Sequence, residues 1–311
     1  MSGQAVRQRF VKKFRALSVN SRRVSLFIVA SYVIQVVAAI AIGYAELQQP
    51  LTPASGLLVA LLALFIATRL RGFNNIVHEC SHFAFTRRRE DNARFGSFCA
   101  SMVLGSFSDY RDEHITHHAH LGDYDKDMDL HGIRDLRLEE PLTPRTILRH
   151  VVRPLLGLHL PYYLRANLSG RDGAGFRAMK IGLIAAAVAF LFVDPLAALL
   201  LVWLPFVWIY PSINYWTDCI DHAGIVHSGE ELEASRNFRT PRLLRALAFP
   251  RNDCFHLVHH LFPQVPSQHL EACHEAMLAD PDYRAHAGGR GNPRETVFGR
   301  VRSAVRSAFV S

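Results

Sequence analysis

The chain has 311 residues, of which 50% are hydrophobic, and it carries a formal net charge of +8 at pH 7. The hydrophobic residues gather into long runs that are typical of membrane spans, which excludes an ordinary soluble domain of this length. The basic residues flank those runs and form no nucleic-acid-binding motif, so the charge indicates a lipid bilayer as the partner and no nucleic acid.

The first half of the chain predicts two spans. A basic leader precedes an apolar run over residues 24–45, which is long enough to cross a bilayer. A second run covers residues 54–68 and is closed by Arg69 and Arg71. By the positive-inside rule, the leader and these two arginines are expected in the cytoplasm.

Two segments of intermediate character follow. Residues 95–107 are too short to cross and predict a re-entrant or interfacial helix. Residues 145–165 alternate arginines with leucines and valines, a basic amphipathic pattern that favours a helix in the headgroup plane. Packing of that helix on the rest of the protein is the alternative.

The second half predicts two more spans, residues 179–193 and 196–213, joined by a short turn at Asp194-Pro195. Together with the first pair they predict an all-α integral membrane protein with four transmembrane helices. Residues 69–178 and 214–311 would form a cytoplasmic helical cap within a single domain, residues 1–311. Both termini and the site described next are then expected in the cytoplasm.

The histidines form three clusters with helical spacing. Residues separated by three or four positions share one helix face, so each cluster can direct its rings at one object, most plausibly a metal. Eight imidazoles are too many for one ion and indicate two, and imidazole suits iron, zinc, copper or nickel equally well. The clustered histidines are His78, His82, His114, His117, His118, His256, His259 and His260.

An acidic segment, residues 122–129, follows the second cluster. Its alternating aspartates suggest a calcium loop, but the glycine and the final glutamate of that motif are not in place. We therefore predict a solvated acidic turn that hydrogen-bonds the neighbouring histidines.

The sequence resembles the membrane fatty acid desaturase and hydroxylase superfamily. His78-Glu79-Cys80-Ser81-His82-Phe83-Ala84-Phe85 is similar to the first histidine box of acyl-lipid desaturases. His117-His118, followed by Gly122-Asp123 and Asp127 to Asp129, is similar to the second box and the stretch after it. His256-Leu257-Val258-His259-His260-Leu261-Phe262-Pro263 resembles the third box. The resemblance runs from about residue 72 to residue 274.

The resemblance implies a ninth ligand, His222 in Asp221-His222-Ala223-Gly224, while His120 and His227 are expected to hydrogen-bond only. Ligating imidazoles usually donate their other N–H to an oxygen, so nearby acids are candidate supports. These candidates are Glu79, Asp112, Asp123, Asp221 and Asp253.

The resemblance also implies the chemistry: two Fe ions, with O2 as co-substrate, would oxidise an unactivated C–H bond. The five cysteines lack cluster or ligand spacing, so electrons must come from an external donor. That donor would be a ferredoxin or cytochrome b5-type protein with its reductase, docking near Arg87 to Arg89 or near Arg242 and Arg245.

Three functions stay open. The leading hypothesis is desaturation of a lipid acyl chain. The runner-up is hydroxylation of a smaller metabolite, of the amino acid or carotenoid type, by the same site, so the substrate is expected to be a lipid or an amphipathic small molecule. A non-redox membrane metal-binding or transport protein belongs to another class. The predicted spans contain no histidine, which counts against transport because transporters place ionisable residues within their spans.

Overall fold

A computed structural model of the protein describes residues 3–226 and 230–290, and every regular element within these ranges is helical. The first helices are α1 (Gly3–Arg15), α2 (Arg22–Leu47), α3 (Pro53–Ser81), α4 (Arg89–Met102), α5 (Phe107–His120), α6 (Met128–His131), α7 (Pro144–Leu155) and α8 (Leu160–Tyr163). They are followed by α9 (Ala174–Val193), α10 (Pro195–His222), α11 (Glu231–Ala234), α12 (Arg242–Ala248), α13 (His256–Leu261), α14 (Leu270–Met277) and α15 (Pro281–Arg290).

Four of these helices, α2, α3, α9 and α10, are long and apolar enough to cross a membrane. The predicted count of four spans is therefore confirmed. Asp194 ends one span and starts the next, because its side chain accepts from the N–H of Ala197 at 3.0 Å as the N-cap of α10. That break is the predicted turn.

Helix α3 runs past the predicted end of the second span. The helix continues to Ser81, and the end of the span near residue 68 stays a prediction. Arg69 and Arg71 do not lie at the surface: they are 6% and 8% exposed. Arg69 donates to Gln35 at 3.3 Å and Arg71 to Asn214 at 3.0 Å, so side chains of the span unit take the place of water around the two guanidinium groups. The first histidine cluster consequently begins on the same helix.

The contacts of the chain divide into two compact units. The span unit comprises residues 20–111 and 159–214, and the site unit comprises residues 1–19, 112–158 and 215–311. Each has a core of its own, with α2, α3 and α4 contributing to the first and α1, α13 and α14 to the second.

Close helix packing in the span unit depends on Gly72. A Cβ at that position would lie 2.0 Å from Cε1 of Tyr32, so only glycine lets α2 and α3 approach this closely. The predicted re-entrant segment packs here as well: α4 contacts α3, and Asn92 and Cys99 are fully buried. It is a packed helix of the span unit, and its re-entrant or interfacial place in the membrane stays a prediction.

Helix α7 has the amphipathic character that the sequence indicated. Ile147 and His150 face the interior of the site unit, whereas Leu148 and Leu155 are each 62% exposed. One face is therefore packed, and the other leaves apolar side chains unpartnered within the described residues. The headgroup plane as the location of that exposed face stays a prediction.

Candidate metal centre

The second histidine cluster lies on α5, as predicted. His114 and His117 are each 4% exposed, and His118 lies one position farther along the helix. Burial of polar rings is costly unless their nitrogen atoms have partners. The turn that follows α5 supplies those partners.

Two aspartates hold the rings of the second cluster. Asp127 is fully buried and accepts from Nδ1 of His117 at 2.8 Å, and its other oxygen caps α6 by accepting from the N–H of Leu130 at 3.0 Å. Asp129 accepts from Nδ1 of His114 at 2.9 Å. The predicted hydrogen bonds between the acidic turn and the histidines are therefore present, although Asp127 is buried and not solvated as the sequence suggested.

The third cluster lies on the short helix α13, and His222 lies at the end of α10. Nδ1 of His222 donates to the carbonyl oxygen of Ala234 at 2.9 Å. Because a carbonyl only accepts, the proton of a neutral His222 is on Nδ1 and the lone pair is on Nε2. The same reasoning applies to His114 and His117, whose Nδ1 atoms face carboxylates.

Seven rings of the site unit meet in two groups. In the four-histidine group, Nε2 of His256 lies 2.8 Å from Nε2 of His222 and 2.9 Å from Nε2 of His260. One nitrogen from each member, His117 included, falls within 4.8 Å of the others. In the three-histidine group, Nε2 of His118 lies 3.2 Å from Nε2 of His114 and 3.0 Å from Nε2 of His259.

These separations fit nitrogen atoms that share an ion. A metal–nitrogen bond of about 2.0 to 2.1 Å places neighbouring ligands about 2.9 to 3.4 Å apart in octahedral or tetrahedral coordination. Lone pairs turned toward one another would otherwise repel. The donor set and its spacing therefore suit a divalent transition metal in each group.

The electrostatics favour neutral rings in part of the site. Burial lowers the pKa values of His114 and His260 well below their ordinary range, and neighbouring histidines lower them further. Burial also lowers the pKa of His117, but the hydrogen bond and charge of Asp127, together with the charges of Asp129 and Asp218, raise it more, and the net pKa is raised. Burial raises the pKa of Asp129 to about 6. Neutral imidazole is the form that binds metal.

The remaining predicted ligands lie elsewhere in the chain. His78 is on the last turns of α3 and His82 follows that helix directly, with ring centroids 5.6 Å apart within the span unit. The i, i+4 spacing thus brings the two rings together as predicted. His120 is exposed, and His227 lies outside the described residues.

The predicted acidic supports have different surroundings. Asp221 lies 3.6 Å from Nδ1 of His256, whereas Asp123 pairs with Lys126 at 3.2 Å. Asp112 is exposed, and Glu79 and Asp253 are buried. Sequence reasoning did not single out Asp127, Asp129 or Ala234. Asp127 and Asp129 belong to the acidic turn, which the sequence did predict to bond the histidines. The spacing did not show which aspartates of the turn would face the rings.

One part of the expected donor surface is wrong. Arg245 is only 6% exposed, and it contacts both carboxylate oxygens of Glu271 at 3.0 Å. A buried arginine held by its own carboxylate does not attract an acidic partner. Arg87, Arg88, Arg89 and Arg242 are exposed, as that prediction requires, and the docking of a donor there stays a prediction.

Comparison with known proteins agrees with the histidine pattern. The family profile described as fatty acid desaturase matches residues 55–288. Dihydrorhizobitoxine desaturase of Bradyrhizobium elkanii is 25% identical over 255 residues, covering 75% of this chain and 72% of that protein. Fatty acid desaturase of Bacillus subtilis is 25% identical over 244 residues, covering 71% of this chain and 68% of that protein.

A plant relative is similar over a smaller part of its length. The chloroplastic sn-2 acyl-lipid omega-3 desaturase (ferredoxin) of Arabidopsis thaliana is 26% identical over 231 residues, covering 64% of this chain and 50% of that protein. This chain thus spans about half the length of that relative. The family match covers both compact units, and the relatives are oxidoreductases by name. The chain belongs to the fatty acid desaturase family.

Proposed function

We propose that this protein is an O2-dependent di-iron enzyme that desaturates a lipid acyl chain. The observation that carries the proposal is the pair of histidine groups, in which seven imidazoles of the site unit present nitrogens 2.8 to 3.2 Å apart. Family membership supports iron as the metal and dehydrogenation as the reaction.

His78 and His82 are metal ligands as well in this proposal, which gives nine ligands in total. Their i, i+4 spacing and their place in the first box support that role. We also propose a single functional domain over residues 1–311, and the family profile supports it over residues 55–288, which belong to both units.

Two irons held by these histidines would activate O2 for oxidation of a C–H bond, chemistry that no amino-acid side chain supplies. The protein contributes the orientation of the rings. Asp127, Asp129 and the carbonyl of Ala234 each accept an Nδ1 proton, which keeps the Nε2 lone pairs of three ligands turned inward. Burial of His114, His117 and His260 keeps bulk water away from the reacting centre.

The other acids have graded roles in the proposal. Asp221 supports His256, from which it is 3.6 Å distant, and the buried Glu79 and Asp253 are candidates for similar contacts. Asp123 and Asp112 stabilise the surrounding turn and helix rather than a ring, because the first pairs with Lys126 and the second is exposed.

The electron donor in this proposal is a separate protein, either a ferredoxin or a cytochrome b5-type protein with its reductase. One relative carries ferredoxin in its name. The exposed arginines Arg87 to Arg89 are the docking surface that charge complementarity favours. We place the site and both termini on the cytoplasmic side, since basic residues flank the apolar runs there.

A second candidate is oxidation of a smaller amphipathic molecule, including hydroxylation by the same site. The relative named for dihydrorhizobitoxine rather than for an acyl lipid supports keeping it. The two outcomes differ in mass: desaturation removes two hydrogen atoms, and hydroxylation adds one oxygen atom.

The test is expression in a host that lacks the product, followed by lipid and metabolite profiling. The wild-type protein is compared with His259→Ala, which removes a ring of the three-histidine group, and with His120→Ala. His120 is an exposed histidine of α5 and serves as a matched control.

We expect wild type and His120→Ala to produce the same acyl chains with two hydrogens fewer, and His259→Ala to produce none. An oxygenated metabolite in place of the alkene would favour the second candidate. Product formation by His259→Ala at the wild-type level would contradict the proposal.

A further inference from the structure

Helix α13 carries three of the candidate ligands but has little stability of its own. It is only six residues long, and no side chain caps its N-terminus at Phe255. Isolated helices of this length do not form in water. Its residues Leu257, Val258 and Leu261 are nearly fully buried, so its terminal carbonyl oxygens need partners from within the protein.

The last four carbonyl oxygens of α13 all have donors. Two of them, of Val258 and His259, accept from the N–H of Phe262 at 2.9 and 3.1 Å. The other two, of His260 and Leu261, accept from a single side chain. Arg7 of α1 donates through Nη2 to His260 at 3.1 Å and through Nε to Leu261 at 2.8 Å.

Helix α1 is held in place to make these bonds. Val6 is fully buried, and Phe14 is 5% exposed and packs edge-on against Phe262 with ring centroids 4.8 Å apart. On the exposed side of the same helix, Arg9 pairs with Asp280 at 3.0 Å and Asp282 at 2.6 Å, and these exposed pairs add little to the hold of the buried residues. The guanidinium of Arg7 therefore reaches α13 from a fixed support.

We propose that Arg7 is a positioning residue for the four-histidine group, acting on the backbone of a ligand rather than on its ring. The inference rests on the metal-binding role of that group. It concerns a residue that precedes the family match, which begins at residue 55.

The physical reason is the forked geometry of the guanidinium. Its two N–H groups bind two successive carbonyl oxygens at once and fix the angle at which α13 ends. His260 lies in this last turn, so its ring direction follows that angle. A positive charge at a helix C-terminus also stabilises the helix, because it is attracted to the negative end of the helix dipole.

Arginine is therefore required for geometry as well as charge. Lysine keeps the charge but lacks the fork, and glutamine keeps a donor but loses the charge. Removal of partners that orient metal ligands typically weakens metal binding tenfold to a hundredfold. We expect the affinity of the four-histidine group to fall in the order wild type, R7K, R7Q.

The experiment titrates the metal-free full-length protein in detergent with cobalt(II). Visible absorption and the number of bound equivalents are recorded for wild type, R7K, R7Q and R9Q. R9Q is the matched control, because it makes the same charge change on α1 and removes the exposed pairs with Asp280 and Asp282, while the buried Val6 and Phe14 still hold the helix and Arg7 still reaches α13.

The inference predicts two tight equivalents for wild type and R9Q, and one tight equivalent for R7Q, with the second bound at least tenfold more weakly. The affinity of R7K for the second equivalent is expected to lie between those of wild type and R7Q. If R7Q does not fold, a weaker second equivalent in R7K than in wild type tests the inference. Wild-type affinity for both equivalents in R7K and R7Q would overturn the role of Arg7 alone. Absence of bound cobalt in wild type would instead overturn the metal site and this inference together.

Discussion

Asp127→Asn tests the support of the four-histidine group most sharply. The carboxylate of Asp127 is fully buried and uses both oxygens, one for Nδ1 of His117 at 2.8 Å and one for the N–H of Leu130 at 3.0 Å. An asparagine amide has one oxygen only. Whichever donor that oxygen serves, the other donor meets an NH2 group.

The expected cost follows from these contacts. If the NH2 group faces His117, the ring must move its proton to Nε2, and the lone pair that would bind metal is lost. A hydrogen bond to a charged partner contributes about 1.5 to 3 kcal/mol. Loss of such a support weakens metal binding tenfold to a hundredfold, or about 1.4 to 2.7 kcal/mol.

The assay is metal content and affinity of purified protein, measured by titration and by mass spectrometry of bound metal. Asp125→Asn is the control, since that carboxylate lies in the same turn, is 81% exposed and pairs with Arg134. We expect one tight equivalent for Asp127→Asn and two for Asp125→Asn. Two tight equivalents at wild-type affinity in Asp127→Asn would refute the support that we assign to Asp127.

Three further results are expected. Gly72→Ala should lower the free energy of unfolding by about 1 to 3 kcal/mol, measured by thermal unfolding, because the new Cβ would lie 2.0 Å from Tyr32. Gly56→Ala on the same helix has open space around the new Cβ and is the control. It should be neutral or stabilising by up to about 1 kcal/mol in the same measurement. Burial and neighbouring arginines lower the pKa of His150 to about 4 in the folded protein. The free energy of unfolding should therefore be highest above about pH 6.5 and fall by about 3 kcal/mol at most as the pH drops toward 4, because the unfolded chain binds the proton more readily. His150→Gln should flatten the plot of thermal midpoint against pH in this range, and an unchanged slope would contradict the reasoning. Removal of the bound metal with a chelator should lower the thermal midpoint of wild type more than that of His259→Ala, because bound metal stabilises the folded state by mass action. Equal shifts in the two proteins would argue against a structural role for the three-histidine group.

Much of the site followed from the sequence because helical spacing decides which rings share a face. His114, His117 and His118 lie on one helix, and His256, His259 and His260 lie on another, as their i, i+3, i+4 spacing predicted. The four spans could be predicted from the lengths of the apolar runs, because the thickness of the hydrocarbon core of a bilayer sets how many apolar residues a spanning helix needs.

The remainder depended on partners that spacing does not encode. Arg69 and Arg71 predicted a span end because free arginines prefer water, but Gln35 and Asn214 satisfy them inside the span unit. Asp123 lies near the second cluster in sequence, yet the register of the turn brings Asp127 and Asp129 to the rings instead. Arg7 is 253 positions away from His260, so only the tertiary structure reveals that contact.

The most direct test of the two-metal account is to measure iron content and O2 consumption together on purified wild-type protein. Iron per chain is determined after expression with iron supplied, and O2 uptake is followed on adding a reductant. We predict two irons per chain and O2 uptake that is lost in His259→Ala. Zinc in place of iron, with no O2 uptake under reduction, would contradict a di-iron oxidation site.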